Sequence, residues 1–362
     1  MKLILITIAL QSMVVFYTGS YTQEGAPAEN PVGEGVGCFA INLETGEIRE
    51  KAYTKQRNPS YLVVSKDKKY LYALEEMYQN LQPRLYAYKI AEDGALSTIN
   101  SQPIHGDYAC HFAIIENNLV VASYVSGNIL SYPIKEDGSL EACSQEIQHN
   151  GIGPNKERQE AAHAHMILPF AHNQMYAVDL TLDTAKAYQW NEKDQKWEGT
   201  PALDIQIEAG SGARHMVMDS DQEFAYVLGE LTGELFVVDL TIGESNVVQK
   251  ISFIPDNHDG PVGGAAIRMH PNGKFLYASN RGSETIAIFK IDAYTKRLSL
   301  LGHQNTYGKT PRDFNIHPEG KWLIAANQDS NSLVVFEINT NDGTLQKKST
   351  FKVNTPVNIC WL

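Results

Sequence analysis

Two groups of residues in this chain could carry chemistry, and each recurs at a fixed place within a repeating unit. The first group is His111, His163, His165, Arg214, His215, Arg312 and Asp313. The second is Glu75, Glu76, Asp179, Glu230, Asn280, Arg281, Asn327 and Gln328. Imidazole and carboxylate side chains move protons, while guanidiniums hold a developing oxyanion or grip a phosphate through paired hydrogen bonds. No G-x-S-x-G elbow accompanies them, so the sequence offers no serine-hydrolase nucleophile.

Such residues act together only if the fold gathers them, and the repeat shows how it would. The phrase Pro59-Ser60-Tyr61-Leu62 aligns with Ala109-Cys110-His111-Phe112, His163-Ala164-His165-Met166, Ala213-Arg214-His215-Met216, Gly264-Ala265-Ala266-Ile267, Pro311-Arg312-Asp313-Phe314 and Pro356-Val357-Asn358-Ile359. Spacings of 45 to 54 residues over seven copies imply a seven-bladed β-propeller. Each phrase opens an apolar run. A polar turn such as Pro271-Asn272-Gly273 leads to a second run, and further turns lead to a third and a weaker fourth, which makes four antiparallel strands per blade. The start of a first strand lies beside the end of the second, so both groups of residues are expected at one rim of the central channel. His163 and His165, two apart, should share a strand face.

The chain closes on a first-strand phrase, Pro356 to Leu362, with no later strands in its blade. Val14 to Gly19 reads as the missing second strand and Gly37 to Ile41 as the third. The expectation is an all-β propeller whose last blade is shared between N- and C-terminal strands, with the C-terminal strand innermost. Closure of that kind removes open sheet edges.

A length of 362 residues would ordinarily allow two domains, but a propeller is one ring of small radial cores, so a single domain over 1–362 is expected. The formal charge of −12 argues against nucleic acid or anionic membrane as a partner and favours a small molecule. It does not exclude an anionic substrate, because a few arginines in a desolvated channel set the local potential. Cys38, Cys110, Cys143 and Cys360 have no metal-type spacing and read as free thiols. Met1 to Leu10 resembles a signal peptide weakly and lacks a small-x-small cleavage site; residues 1–12 read as an extended start, which favours a cytoplasmic protein and leaves a periplasmic one open. Oligomeric state, monomer or dimer, is not legible.

Gly210-Ser211-Gly212-Ala213-Arg214-His215, Ser279-Asn280-Arg281-Gly282, Thr310-Pro311-Arg312-Asp313-Phe314 and Ala326-Asn327-Gln328-Asp329-Ser330 resemble the signatures of the propeller lactonase family. Arg158-Gln159 followed by Ala162-His163-Ala164-His165 resembles it too. The family holds bacterial 6-phosphogluconolactonases of propeller type and fungal carboxymuconate-cyclising enzymes, and the resemblance spans essentially the whole chain. It implies His165, Arg214, Glu230 and Arg281 as the catalytic set. His163, Arg312, Asn280, Asn327 and Gln328 are the expected substrate-binding neighbours. The implied activity is hydrolysis of a phosphorylated sugar lactone, 6-phosphogluconolactone before others. His165 or Glu230 would be the base, and arginines would hold the oxyanion and phosphate.

Two other functions compete with this one. A carboxymuconate cycloisomerase would use the same cationic residues for a different polyanion. A non-enzymatic binding scaffold would show exposed aromatic patches on a rim rather than an Arg/His/Glu channel mouth. His215 reads as structural. No cofactor or metal is expected: His163-x-His165 offers two ligands, but several arginines at the same rim would repel a divalent cation.

Overall fold

The computed structural model describes residues 13–241, 243 and 246–362. Its strands form seven antiparallel sheets in strict succession. Blades 1 to 6 start with Pro59–Val64, Ala109–Ile115, Ala164–Phe170, Ala213–Met218, Gly264–Met269 and Pro311–Ile316. Within each, strand order follows sequence order from the axis outward. Blade 7 runs Pro356–Trp361, Met13–Ser20, Val36–Asn42, Ile48–Thr54, so the C-terminal strand is innermost and pairs with Met13–Ser20 (Phe16 opposite Trp361, Thr18 opposite Ile359). This is the closure the sequence implied. The reading of residues 1–12 as an extended, weakly signal-like start lies outside the described residues.

Seven apolar clusters hold the ring, one at each junction between neighbouring blades. Second strands explain this division of labour. Leu71 and Ala73 pack toward blade 7 while Tyr72 and Leu74 pack toward blade 2, because alternate side chains leave a strand on opposite faces. A strand apolar on both faces therefore reads as an unbroken run, as in Phe275–Asn280, whereas outermost strands such as Leu345–Lys352 are largely exposed. Blade 3 departs from the pattern. Its outer edge is split into Lys196–Gly199 and Ile205–Gln206, both on Thr184–Asn191, with a 3₁₀ turn at Pro201–Leu203 between them.

Removing residues 356–362 takes the inner strand from blade 7, strips Ile359 from the cluster with Trp322 and Phe16, and opens a sheet edge on the axis. The truncated chain is expected to be insoluble or unfolded, with its cooperative melting transition abolished. A far-UV circular dichroism melt that retained the full-length transition would contradict this.

One alignment needs correction. Ala164 pairs with Asp179 and Met166 with Val178, which leaves His165 as the extra residue of a β-bulge. Cys110 and Arg214 occupy the same place, because Ala109 pairs with Ser123 and Ala213 with Gly229. The blade 3 phrase is therefore Ala164-His165-Met166-Ile167, one residue later than the repeat alone indicated. His163 lies before the strand, and it does not share a strand face with His165.

Candidate active site

Every first strand begins with an interruption of its ladder. Ser60, Cys110, His165, Arg214, Arg312 and Val357 are the unpaired residues of blades 1, 2, 3, 4, 6 and 7, and the ladder of blade 5 breaks at Ala265 and Ala266. A bulge leaves one residue unpaired and re-aims its side chain. Six of these residues, all but the alanines of blade 5, line a narrow space of about 20 Å³ on the axis. The residue before the bulged pair is left-handed in five blades: Asn58, Tyr108, Gly212, Thr310 and Thr355 have φ between 38° and 73°.

A second tier sits just above. The residue following each second strand donates its N–H to the residue before the paired first strand: Glu76 to Asn58, Tyr124 to Tyr108, Leu180 to His163, Glu230 to Gly212, Arg281 to Gly263, Gln328 to Thr310 and Tyr21 to Thr355. This repeat carries Glu76, Tyr124, Glu230 and Arg281 to a cavity of about 320 Å³, which His165, Cys110 and Arg312 close from below. Such a volume is at the lower end of small-molecule sites, roughly 300–1,000 Å³. The Tyr78 and Tyr108 rings meet edge to face at 4.5 Å on one wall, and Gly25, Ala26 and Pro27 complete another.

Glu230 is the electrostatic centre. Its Oε1 accepts from Arg158 Nη2 at 2.7 Å and lies 3.0 Å from Arg281 Nη2, and its Oε2 lies 2.9 Å from Arg214 Nε. The last is a Coulombic contact, since Arg214 Nε has no aligned hydrogen bond. Burial would raise the Glu230 carboxyl, but Arg281, Arg214 and Arg158 outweigh it and hold the group well below the usual carboxylate range. Arg214 is buried, and burial with Arg281 nearby pushes it down to about 10, still fully charged at neutral pH. Its Nη1 donates to the Ala265 carbonyl.

His165 is buried at the floor. Burial first, then Arg214 and Arg312, holds its imidazole well below the usual range against the opposing pull of Glu230. It is therefore neutral at pH 7. Nδ1 faces Cys110 Sγ at 3.8 Å, and among the described residues Nε2 has no hydrogen-bond partner. Across the cavity, Arg312 lies over the Tyr21 ring at 5.3 Å and 3.4 Å from Glu76 Oε1, while Tyr21 Oη donates to Glu76 Oε2 at 2.7 Å.

The structure thus brings His165, Arg214, Glu230, Arg281 and Arg312 together. It places the other four candidates elsewhere. His163 stacks on Tyr124 and bonds the Tyr124 carbonyl and Glu160. Asn280 Oδ1 accepts from Gly263 and Gly282 N–H, and Asn327 Nδ2 donates to the Thr306 carbonyl. The last residue of a second strand ties its own loop, and only the next one faces the cavity. Gln328 also follows a second strand but does not line the cavity; its Nε2 donates to the carbonyl of Pro27, in the segment between Met13–Ser20 and Val36–Asn42 that walls the mouth. Gln328→Ala should loosen this wall and raise KM several-fold with kcat nearly unchanged, as a loss of binding common to ground and transition states does. Initial rates over a substrate series would check it.

Sequence reasoning gave no role to Arg158, Tyr124, Tyr108 and Cys110, and none to Glu76 beyond its strand-end position. Arg158 arrives on the long connection between Gln145–Gln148 and Ala164–Phe170, which is what stretches the spacing there to 54 residues. His215 is buried with its Nε2 3.4 Å from Arg214 Nη1 and its ring 5.2 Å from that of His165. Among the described residues no three His, Cys, Asp or Glu side chains converge as a metal-ligand set, and no helix is long and apolar enough to cross a membrane.

Comparison with known proteins bears on the fold and the family. A 6-phosphogluconolactonase of Bacillus subtilis is 34% identical over 82% of this chain and 83% of its own length. The crystal structure of a putative 6-phosphogluconolactonase from Bacteroides fragilis superposes with a TM-score of 0.89 at 31% identity, covering 97% of this chain and 98% of that one. A periplasmic gluconolactonase of Pseudomonas aeruginosa shares the fold, with a TM-score of 0.89 at 24% identity over 97% and 99% of the two chains. The model of the family described as "Lactonase, 7-bladed beta-propeller" matches residues 15–361, and the chain belongs to that family.

Proposed function

We propose that the protein hydrolyses 6-phosphogluconolactone to 6-phosphogluconate, the lactone step of the oxidative pentose phosphate route. The observation that carries this reading is the neutral His165 at the floor of a cavity where four guanidiniums face two carboxylates. The cationic excess suits a phosphate dianion, and His165 suits proton abstraction from water. The relatives named as 6-phosphogluconolactonases support the same choice.

Water attacks the lactone carbonyl carbon as His165 Nε2 takes its proton. The carbonyl oxygen becomes an oxyanion, held by Arg214, which is charged and already oriented by the Ala265 carbonyl. The ring C–O bond then breaks and the imidazolium returns its proton to the departing ring oxygen, giving the open hydroxy acid, which ionises. Glu230 does not serve as the base, because three guanidiniums occupy its oxygens and lower its basicity. It holds the arginines apart and in place. Arg158 and Arg281, at the rim, grip the phosphate.

Four unpaired cysteines fit a reducing compartment, and we assign the protein to the cytoplasm on that ground. The test is stopped-flow hydrolysis of freshly generated 6-phosphogluconolactone against gluconolactone, with chelator present and spontaneous hydrolysis subtracted. Acceleration confined to the phosphorylated lactone is expected. Acceleration of neither would overturn the hydrolase reading and turn attention to carboxymuconate.

A further inference from the structure

The cavity has two unlike poles. On the side of blades 4 and 5, three guanidiniums surround the single carboxylate of Glu230, so positive charge is in surplus there. Blade 1 lies across the ring, and there Glu76 meets one guanidinium, Arg312, at 3.4 Å, a loose contact. Glu76 is buried, 3% exposed, and lines both the mouth cavity and the narrow space beneath it. A carboxylate has about four lone-pair directions. Tyr21 Oη takes one and Arg312 approaches another, so acceptor capacity on Glu76 is left over. A buried acceptor with spare capacity seeks donors.

Resting on the hydrolase reading, we infer that Glu76 is a specificity-determining residue that accepts hydrogen bonds from the ring hydroxyls of a polyol lactone, while the opposite arginine pole takes the phosphate. The same carboxylate works against the rival substrate class. A muconate-type tricarboxylate has no hydroxyl to donate and would set a carboxylate against a fixed one in a desolvated space. An aldonolactone presents donors on its ring and its only anion at the end of an arm. Tyr21 and Arg312 hold Glu76 in place and do not themselves read the hydroxyls.

The experiment compares two lactones: 6-phosphogluconolactone and a synthetic δ-lactone with the same phosphomethyl arm but no ring hydroxyls. With wild-type protein, kcat/KM is expected to be at least ~10²-fold higher for the hydroxylated lactone, as sites built to bond a hydroxyl reject analogues lacking it. Glu76→Gln should lower kcat/KM about 10- to 100-fold for the hydroxylated lactone, the span expected for hydrogen bonds to a charged group, and less than ~2-fold for the other. The variant should also bind tricarballylate, a simple tricarboxylate, several-fold more tightly as a competitive inhibitor. Equal losses on both lactones would mean that Glu76 acts only by holding Arg312, and would overturn the inference. So would a wild-type preference below ~10-fold, a measurement that requires no variant to fold. Wild-type protein inert toward both lactones would instead sink the hydrolase reading and take this inference with it.

Discussion

His165→Asn is expected to lower kcat by about 10² to 10⁴ while KM changes little, since general-base assistance is lost but no substrate grip is. The arginines and Glu76 that bind substrate do not depend on the imidazole for their positions, so the variant should fold normally. The pH profile provides the sharper check. Burial, Arg214 and Arg312 keep the imidazole neutral well below its ordinary value of 6.5. The wild-type rate should therefore stay level as pH falls from 8 through 6.5, and decline only in more acidic solution. The variant should lack that acid limb. A wild-type rate that halved near pH 6.5, or a variant with an intact profile, would point to a base other than His165.

Glu230→Gln should have the second large effect, on stability as well as turnover. It leaves the buried Arg214 without its counter-charge, and breaking one side of a buried ion pair costs roughly 3–5 kcal/mol. Arg158, half in solvent, contributes little to that figure. Acid should act on the wild type in two stages. His111, His165 and His215 are all held neutral by burial, so below about 6.5 the unfolded chain binds protons that the native one refuses, and stability falls. Below about 4.5 the unfolded Glu230 carboxyl protonates while the native one stays ionised, and stability falls again. The variant should keep the first stage and show a shallower second one, since Asp67, Asp137, Asp292, Glu337 and Asp342 are also held low and remain. Urea midpoints from pH 7 to 3 for both proteins would show it, and parallel curves throughout would contradict the account.

The blades were legible because their physics is local. Alternation, two-faced apolar runs and hairpin turns all act over a few residues, and the count of seven followed from the repeat. Ring closure was legible too, since an unpartnered first strand at one end matched unpartnered second and third strands at the other. The site was legible only in part. His165 lines the cavity, but the repeat set it one residue out of register: matched to His111 it would be a paired residue, whereas the ladder makes it the unpaired counterpart of Cys110. Asn280 and Asn327 were drawn in by sitting beside Arg281 and Gln328, yet strand ends bind their own loops. Glu76 hid beside Glu75, which is consumed by Arg57 and the Arg84 N–H. Arg158 lies on a connection with no periodic signal, so only the family resemblance of Arg158-Gln159 pointed to it, and without a role.

The interrupted ladders also bear on how such a ring changes its chemistry over evolutionary time. A residue outside the pairing pattern has no partner across the strand to satisfy, and its side chain contributes little to the apolar junctions between blades. Ser60, Cys110, His165, Arg214, Arg312 and Val357 hold a hydroxyl, a thiol, an imidazole, two guanidiniums and a plain hydrocarbon at equivalent sites on one scaffold. The molecule thus keeps a dial of interchangeable positions around its axis. Each lies outside the apolar junctions, so a change there is felt first by its polar partners, as Glu230 is by Arg214 and Glu76 by Arg312, and not by the packing that keeps the propeller folded.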